Sequence, residues 1–408
     1  MGLLNYFFQI VSSRYLSENE YVIFVAFLGI YSICTAPAAG LSLIVSRSVS
    51  KIISEKKEKY LGVNYLKFAK IILAYSFIFL FILYLNEDKI LSYFEISDKK
   101  LILFLSLILL SHLFVTLNSS FFLGLKQFIL YGISNLNIAI VKNITNFVFL
   151  FFSFGILSGV LGIASSLIIT FLFGLFFLKK YFLINQFKSS RANYSLTFDK
   201  TWIPIILSNL GFGLMTQLDI AIAKVIFYGN NELHKFAAAS VLAKAVLYIS
   251  GGIALSTFPQ MSEDNYNKNS NNDLLKKSLM LSIFLSVFSI IFFYIFGNFL
   301  ITFFFGDNYI GSEKYLFIYC AALIPMSLLL ILEHYMMAKG KTLFIWILIL
   351  FAPLQILTIY YFSENFYHIM LYTFIFSLFV LLIGLYMLIK NNNENSNNRF
   401  KKIFKKFN

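Results

Sequence analysis

Charged side chains lie within stretches of this sequence that are otherwise almost wholly apolar. Lys142 and Lys244 lie near the middle of two such stretches, and Asp219 and Glu333 add acidic groups in two others. If the stretches cross a bilayer, a charge at the centre costs about 2.5–3.5 kcal/mol on insertion scales, so it needs a reason to be there. The chemistry available to such groups is anion binding by the lysines, which is strong at low dielectric, and proton or cation exchange by the carboxylates.

The composition shows that these stretches belong to a membrane protein. Of 408 residues, 59% are hydrophobic, 19% aromatic and 13% charged. Soluble domains carry about 45–50% apolar and about 25% charged residues, so soluble enzymes and nucleic-acid-binding domains are excluded. Cys34 and Cys320 both lie in apolar runs and are interpreted as small buried hydrophobes, without a metal role.

Eleven continuous apolar runs are long enough to cross the roughly 30 Å hydrocarbon core of a bilayer, which takes about 20 helical residues. They are Tyr21–Ser46, Lys67–Leu85, Leu101–Leu123, Phe128–Phe154, Gly159–Leu178, Thr201–Tyr228, Phe236–Met261, Leu279–Phe305, Tyr315–Ala338, Thr342–Phe362 and Phe366–Ile389. A twelfth, Leu3–Val11, is too short to cross. Because the runs are continuous and not alternating, they predict an all-α polytopic fold and not a β-barrel.

The distribution of basic residues predicts the orientation of the spans. Of 33 Lys and Arg residues, 22 lie on one alternate set of loops and ends, and six on the other. The positive-inside rule places the richer set in the cytoplasm, together with a basic tail over residues 391–408. We expect this Asn-rich tail to be a disordered topology anchor, with lipid headgroup contact as the alternative.

An internal repeat predicts two lobes. Glu20-Tyr21 at the start of one span matches Lys235-Phe236 at the start of another, an offset of 215 residues. We therefore predict six-helix lobes over residues 1–185 and 201–390, joined by a cytoplasmic linker over 186–200. The same offset predicts that about fourteen residues of the first helix are absent here, through a start upstream of Met1 or a true truncation.

Polar side chains follow one face of several spans. Asn135, Lys142 and Asn146 share a helical face in one span, and Lys244 and Tyr248 share a face in another. Stripes facing lipid would be costly, so we expect them to line a water-filled cavity between the lobes. Alternatives stay open for three of these charges. Asp219 pairs with Lys244, Glu333 lies at the membrane interface, and the side chain of Lys224, another intramembrane lysine, extends to the lipid headgroups.

The segment Arg14-Tyr-Leu-Ser-Glu-Asn-Glu-Tyr21, followed by a span with Gly40 and Arg47, resembles the first helical hairpin of bacterial polysaccharide-export (O-antigen) flippases. These belong to the multidrug/oligosaccharidyl-lipid/polysaccharide (MOP) exporter superfamily. Asp219, the Phe236-Ala-Ala-Ala segment and Pro259 continue the resemblance in the family's order.

Two departures from the family's pattern stand beside this likeness. Val22 takes the place of a usual Gly, and Ala36-Pro37-Ala38-Ala39 takes the place of a usual acidic residue. The resemblance covers essentially the whole chain, although each motif is loose.

The resemblance implies two six-helix lobes around a central cavity and the movement of polyprenyl-pyrophosphate-linked oligosaccharide from the inner to the outer leaflet. On that basis Lys142 and Lys244 are candidates for binding the pyrophosphate or acidic sugars, and Asp219 and Glu333 are candidates for ion coupling. Further candidates are Asn135, Asn146, Gln217 and Tyr248 for substrate binding, and Pro325 and Pro353 as hinges. The coupling ion, proton or sodium, is left open.

Three functions are weighed. The leading one is a flippase acting by ion-coupled alternating access in the cytoplasmic membrane of a bacterium. A drug or cation antiporter of the same superfamily is the alternative, although a cationic cargo predicts a more acidic cavity. A polysaccharide polymerase or ligase is less favoured, because the longest outer loop, Asn86–Lys100, has no catalytic constellation. We therefore expect no enzyme activity, no cofactor and no nucleic-acid binding. We also expect a monomeric transport unit whose partners are the cargo lipid, membrane lipids, and polymerase and chain-length proteins.

Overall fold

The computed structural model describes residues 2–94, 100–182, 202–262 and 268–407, and these ranges contain helices and no strands. The helices are α1 Gly2–Tyr15, α2 Glu18–Cys34, α3 Pro37–Ser54, α4 Leu61–Leu85, α5 Glu87–Phe94, α6 Lys100–Gly124, α7 Phe128–Phe151, α8 Leu157–Phe182, α9 Trp202–Gln217, α10 Asp219–Ile226, α11 Leu233–Ala243, α12 Ala245–Ser262, α13 Lys268–Phe304, α14 Glu313–Ala322, α15 Ile324–Ala338, α16 Leu343–Phe362 and α17 Phe366–Phe407. Short 3₁₀ turns lie at Glu58–Tyr60 and Asp307–Tyr309.

The described residues form nine helices that are long and apolar enough to cross a membrane, or ten if the bent α9–α10 pair is one span. The protein is therefore an all-α, multi-pass membrane protein, as the sequence predicts. The count of twelve spans stays a prediction, and the linker over 186–200 lies outside the described residues. The expectation of a disordered tail is wrong, because α17 continues to Phe407.

Four of the spans that the sequence predicts as continuous are interrupted in the structure, although at Lys244 and Leu323 the interruption is a single residue across which helical hydrogen bonds continue. The breaks lie at Thr35–Ala36, Leu218, Lys244 and Leu323. Pro37 and Pro325 lie in the first turn after two of these breaks, where the missing N–H of proline costs nothing. The break at Leu218 bends the α9–α10 pair by 44°. Apolar run length predicts where the chain crosses but not whether the helix is continuous.

Contacts divide the chain into two compact units. Unit 1 comprises Met1–Ala237 and Leu300–Ile310, and unit 2 comprises Ala238–Phe299 and Gly311–Asn408. This division differs from the predicted lobes, since α9 and α10 pack with α2 and α3 in unit 1. The lobes at 1–185 and 201–390 are defined by the sequence repeat and stay a prediction. The order of helices agrees with the repeat, because α2 and α11 begin 215 residues apart and so do α7 and α16.

The core of unit 1 lies between α3, α4, α6 and α8, where Val49, Phe68 and Phe121 are almost fully buried. One buried amide joins these helices. The Asn118 side chain on α6 accepts a hydrogen bond from the Tyr65 hydroxyl at 2.8 Å and donates to the Phe171 carbonyl at 3.1 Å. Such polar contacts between apolar helices hold spans together where hydrophobic burial cannot distinguish protein from lipid.

Unit 2 uses serine hydroxyls for the same purpose. Ser250 on α12 lies 2.8 Å from Ser282 on α13, and Ser327 on α15 lies within 3.4 Å of Ser282 and 3.3 Å of Ser286. The small side chains let α12, α13 and α15 approach closely while each hydroxyl is satisfied. Lys244 directly precedes α12, and Glu333 lies on α15.

Candidate functional site

Lys142 is held against α1. Its ammonium nitrogen Nζ donates to Asn5 Oδ1 at 2.7 Å and lies 4.4 Å from the centre of the Phe8 ring. The sequence shows no partner for Lys142 within its own span, and the structure supplies a neutral amide and an aromatic face from another helix. Neither contact neutralises the charge, and the hydrogen bond uses one of three N–H donors. The group is therefore a positioned cation, half-buried in unit 1.

The amides that share the face of Lys142 serve mainly in packing. The Asn146 amide donates to Ser12 Oγ at 3.1 Å and the Asn143 amide to the Leu4 carbonyl at 2.9 Å, so both bind α7 to α1. Asn135 donates to the Tyr131 carbonyl of its own helix at 3.1 Å. Substrate binding by Asn135 and Asn146 stays a prediction, with Asn146 fully buried.

Asp219 lies at the bend between α9 and α10, where it is the first residue of α10 and is 6% exposed. Gln217 fixes this bend against α2, because a Cβ atom built on Gly29 would overlap the Gln217 carbonyl oxygen. The close backbone approach therefore requires glycine at position 29. Lys224, at the other end of α10, is also buried, so the expectation that it snorkels to the headgroups is wrong.

Lys244 and Glu333 are both buried in unit 2. Lys244 occupies the break between α11 and α12 and is 7% exposed, while Glu333 on α15 is 2% exposed. The interfacial alternative for Glu333 stays a prediction. Tyr248, one turn beyond Lys244, is 54% exposed. Their roles in cargo binding and ion coupling stay predictions.

The two hinge candidates differ in local structure. Pro325 lies in the first turn of α15, directly after the break at Leu323, whereas Pro353 lies inside the uninterrupted helix α16. The break before α15 is the position where a change in backbone angles would least disturb helical hydrogen bonds. The hinge roles themselves stay predictions.

The His112 side chain contacts a second helix. Its Nδ1 lies 2.7 Å from the Tyr31 hydroxyl, which joins α6 to α2. Among the described residues, no group of three or more His, Cys, Asp or Glu side chains is placed to hold a metal ion.

Arg14, at the end of α1, caps the C-terminal end of α13. Its guanidinium donates to the carbonyl oxygens of Thr302 and Phe304, both at 2.9 Å, and to that of Phe303. The last carbonyls of a helix have no partner within the helix and carry partial negative charge, so a cation satisfies both deficits. Gly306 follows with φ of 108°, a conformation that favours glycine.

Beside Arg14 lies a group that we call the His234 cluster: Glu18, Tyr21, His234, Asn308 and Tyr309. His234 Nδ1 is 3.3 Å from Glu18 Oε2, and His234 Nε2 is 3.1 Å from the Asn308 carbonyl oxygen. The Tyr309 ring lies against both His234 and Tyr21, with centroids 5.4 and 5.7 Å apart. The cluster joins the α1–α2 turn, the start of α11 and the 3₁₀ turn after α13.

Two buried tyrosines shape the interior of the His234 cluster. Burial raises the pKa of the Tyr309 phenol, and the nearby Glu18 carboxylate raises this pKa further, so Tyr309 stays neutral. The Tyr21 side chain is fully buried, and its hydroxyl has no hydrogen-bond partner among the described residues. Tyr21 therefore contributes to the cluster through the packing of its ring against Tyr309.

Sequence reasoning did not identify the His234 cluster as a site. Glu18 and His234 are 216 positions apart, and each lies in a polar turn that reads as a simple loop. One signal was present: Ser17 and Glu20 form the capping box that starts α2, which fixes Glu18 in its first turn.

Replacing Arg14 with lysine is expected to destabilise the end of α13 by about 1–2 kcal/mol, because one ammonium cannot reach three carbonyls in a fork geometry. Faster amide hydrogen exchange over residues 300–310 would report the loss. Lys89→Ala, on exposed α5, is the control and is expected to leave this exchange unchanged. Equal exchange in Arg14→Lys and the unaltered protein would contradict the capping role.

No protein-family model matches the chain, and no curated protein matches it in sequence. Solved structures do match. A multidrug resistance MATE family transporter of the MOP superfamily, in an inward-facing conformation, matches with a TM-score of 0.74 and 12% identity, over 97% of this chain and 95% of its own. The lipid II flippase MurJ, in an inward closed conformation, matches with a TM-score of 0.68 and 17% identity, over 95% of this chain and 85% of its own.

A third structure, a MATE protein in a bent conformation, matches with a TM-score of 0.66 and 12% identity, over 97% of this chain and 93% of its own. The chain shares the fold of these structures, which confirms the predicted all-α membrane fold class. At 12% and 17% identity, the fold is what these comparisons establish.

Proposed function

We propose that this protein moves polyprenyl-pyrophosphate-linked oligosaccharide across the cytoplasmic membrane for surface polysaccharide synthesis, by ion-coupled alternating access. The observation that carries the proposal is a MOP fold with a positioned cation, Lys142, in a span. The fold is shared with the lipid II flippase MurJ, and the Lys142 ammonium is held by neutral contacts alone among those described. A cation at low effective dielectric attracts a diphosphate by several kcal/mol more than in water.

The roles follow from burial and charge. Lys142 and Lys244 bind the pyrophosphate or acidic sugars, Gln217 and Tyr248 bind sugar hydroxyls, and Asp219 and Glu333 exchange the coupling ion. Both carboxylates are buried, which supports this assignment. At a buried site of low dielectric, binding or release of a proton or cation changes the electrostatic energy of the protein more than at an exposed site. The chain acts as a transporter and not an enzyme, with its C-terminal end in the cytoplasm.

The antiporter alternative is favoured by a different observation. The MATE transporter of the MOP superfamily has a TM-score of 0.74 with this chain, and Asp219 and Glu333 are acidic groups of the kind a cationic drug would contact. The half-buried Lys142 and the buried Lys224 and Lys244 oppose it, because they repel a cationic cargo.

Deletion of the gene in its host separates the two functions. We expect loss of surface polysaccharide, measured by gel electrophoresis and staining of extracted glycans, with drug tolerance unchanged. Accumulation of lipid-linked repeat units on the inner leaflet should accompany the loss. Normal polysaccharide with increased sensitivity to cationic drugs would overturn the proposal in favour of the antiporter.

A further inference from the structure

His234 connects segments from the two sequence repeats through both of its ring nitrogens. Nδ1 faces the Glu18 carboxylate on α2, in the first repeat, and Nε2 faces the Asn308 carbonyl after α13, in the second. Both partners are acceptors only. The imidazole can satisfy both at once only when both nitrogens carry protons, which is the charged form.

The loss of one proton changes the sign of one contact. Whichever nitrogen loses its proton, the neutral ring presents a lone pair to one of the two acceptors, so either the attraction to the Glu18 carboxylate or the hydrogen bond to the Asn308 carbonyl becomes a repulsive contact. The His234 ring is 8% exposed and the Glu18 side chain is 44% exposed, so water reaches the carboxylate, and the cost of an unmatched contact falls mainly on the buried ring. Histidine is the side chain whose charge ordinarily changes between about pH 5 and 8.

The other groups near His234 do not replace it as the charged bridge. The Tyr309 phenol, which packs on the ring, is neutral. On its own segment His234 is flanked by Glu232 and Lys235, which are of opposite sign. Arg14 on α1 is directed to the end of α13 through backbone carbonyls, and it keeps its charge at every relevant pH.

We propose that His234 is a proton-binding site of the transport cycle, at which proton uptake closes the contact between the α1–α2 turn and the turn after α13. This rests on the proposed function, and it identifies the coupling ion as the proton. Closure favours the charged ring, so by linkage acid favours closure and alkaline pH favours opening. The positive-inside rule predicts that the α1–α2 turn and the turn after α13 lie on the outer side of the membrane. The cargo must leave on that side while the contact between the two turns is open.

Amide hydrogen exchange of the purified full chain in lipid nanodiscs tests the proposal without any cargo. The reporters are peptides covering residues 15–21 and 306–312. After correction for intrinsic rates, we expect their exchange to rise about tenfold between about pH 5.5 and about pH 8. We expect His234→Gln to exchange fast at both values, and Glu18→Gln to move the step to lower pH.

His368→Gln is the matched control, since His368 lies in the first turn of α17, away from the His234 cluster, where its Nδ1 accepts a hydrogen bond from the Glu364 backbone N–H. We expect it to keep the step of the unaltered protein. Absence of a step in the unaltered protein, or its persistence in His234→Gln, would overturn the proposal. If His234→Gln does not fold, the shift in Glu18→Gln decides. The exchange measurement uses no cargo, so it is independent of the deletion experiment. If the pH-dependent step in exchange is seen but the deletion strain makes normal polysaccharide, the proposed cargo is refuted and the proton site is still supported.

Discussion

Replacing Gly29 with alanine is expected to destabilise the folded protein by about 1–3 kcal/mol, toward the upper end of that range. The added Cβ would overlap the Gln217 carbonyl oxygen, and a backbone atom cannot turn away as a flexible side chain can. Either α2 must move away from α9 or the bend before Asp219 must change. A lower thermal unfolding midpoint of the purified protein would report the cost.

Gly132→Ala on α7 is the matched control, because a Cβ at that position meets no atom within 4 Å. Both substitutions remove a helical glycine, so any gain in helix propensity, at most about 1 kcal/mol, is shared between them. If Gly29→Ala were as stable as Gly132→Ala, the close crossing of α2 and α9 would not constrain the bend.

Replacing Lys142 with glutamine is expected to reduce export at least about tenfold, since about 4 kcal/mol of attraction is available between unit charges about 4 Å apart at an effective dielectric of 20. Glutamine keeps a donor for Asn5 and so preserves the α1–α7 contact while removing the charge. Lys142→Arg retains the charge and should retain most of the export. The measurement is complementation of the deletion strain, scored as surface polysaccharide.

A control separates the charge from the ring contact that Lys142 makes. Lys179 near the end of α8 lies 4.4 Å from the Phe176 ring centre, the same distance that separates Lys142 from the Phe8 ring. Lys179→Gln is therefore expected to export normally. Full export by Lys142→Gln at an equal protein level would remove Lys142 from the proposed cargo site.

Much of the fold could be read from the sequence, because a bilayer imposes one length on every span. The predicted starts at Phe128 and Phe366 coincide with the observed starts of α7 and α17. Hydropathy does not register a break, so the interruptions at Leu218 and Lys244, where no proline follows directly, could not be predicted. They depend on how neighbouring helices pack, as the contact of Gly29 with Gln217 shows.

The candidate site was predictable in its residue types but not in its partners. Helical spacing correctly placed Lys142 and Asn146 on one polar face, which packs on α1. The spacing carried no information about Asn5, which is 137 positions away in sequence. The same applies to His234, whose two acceptors come from distant turns. Periodicity predicts which face is polar, whereas long-range packing decides what that face meets.

The broken spans have a consequence for how the chain enters the membrane. The eight residues of α10 rise only about 12 Å, and the eleven of α11 about 17 Å, at 1.5 Å per residue. Neither segment could cross alone, because the hydrocarbon core is roughly 30 Å thick. During synthesis each interrupted pair must therefore leave the insertion machinery as a single unit. The bend can form only after other helices have packed against it, so insertion into the membrane precedes the bending of these helices.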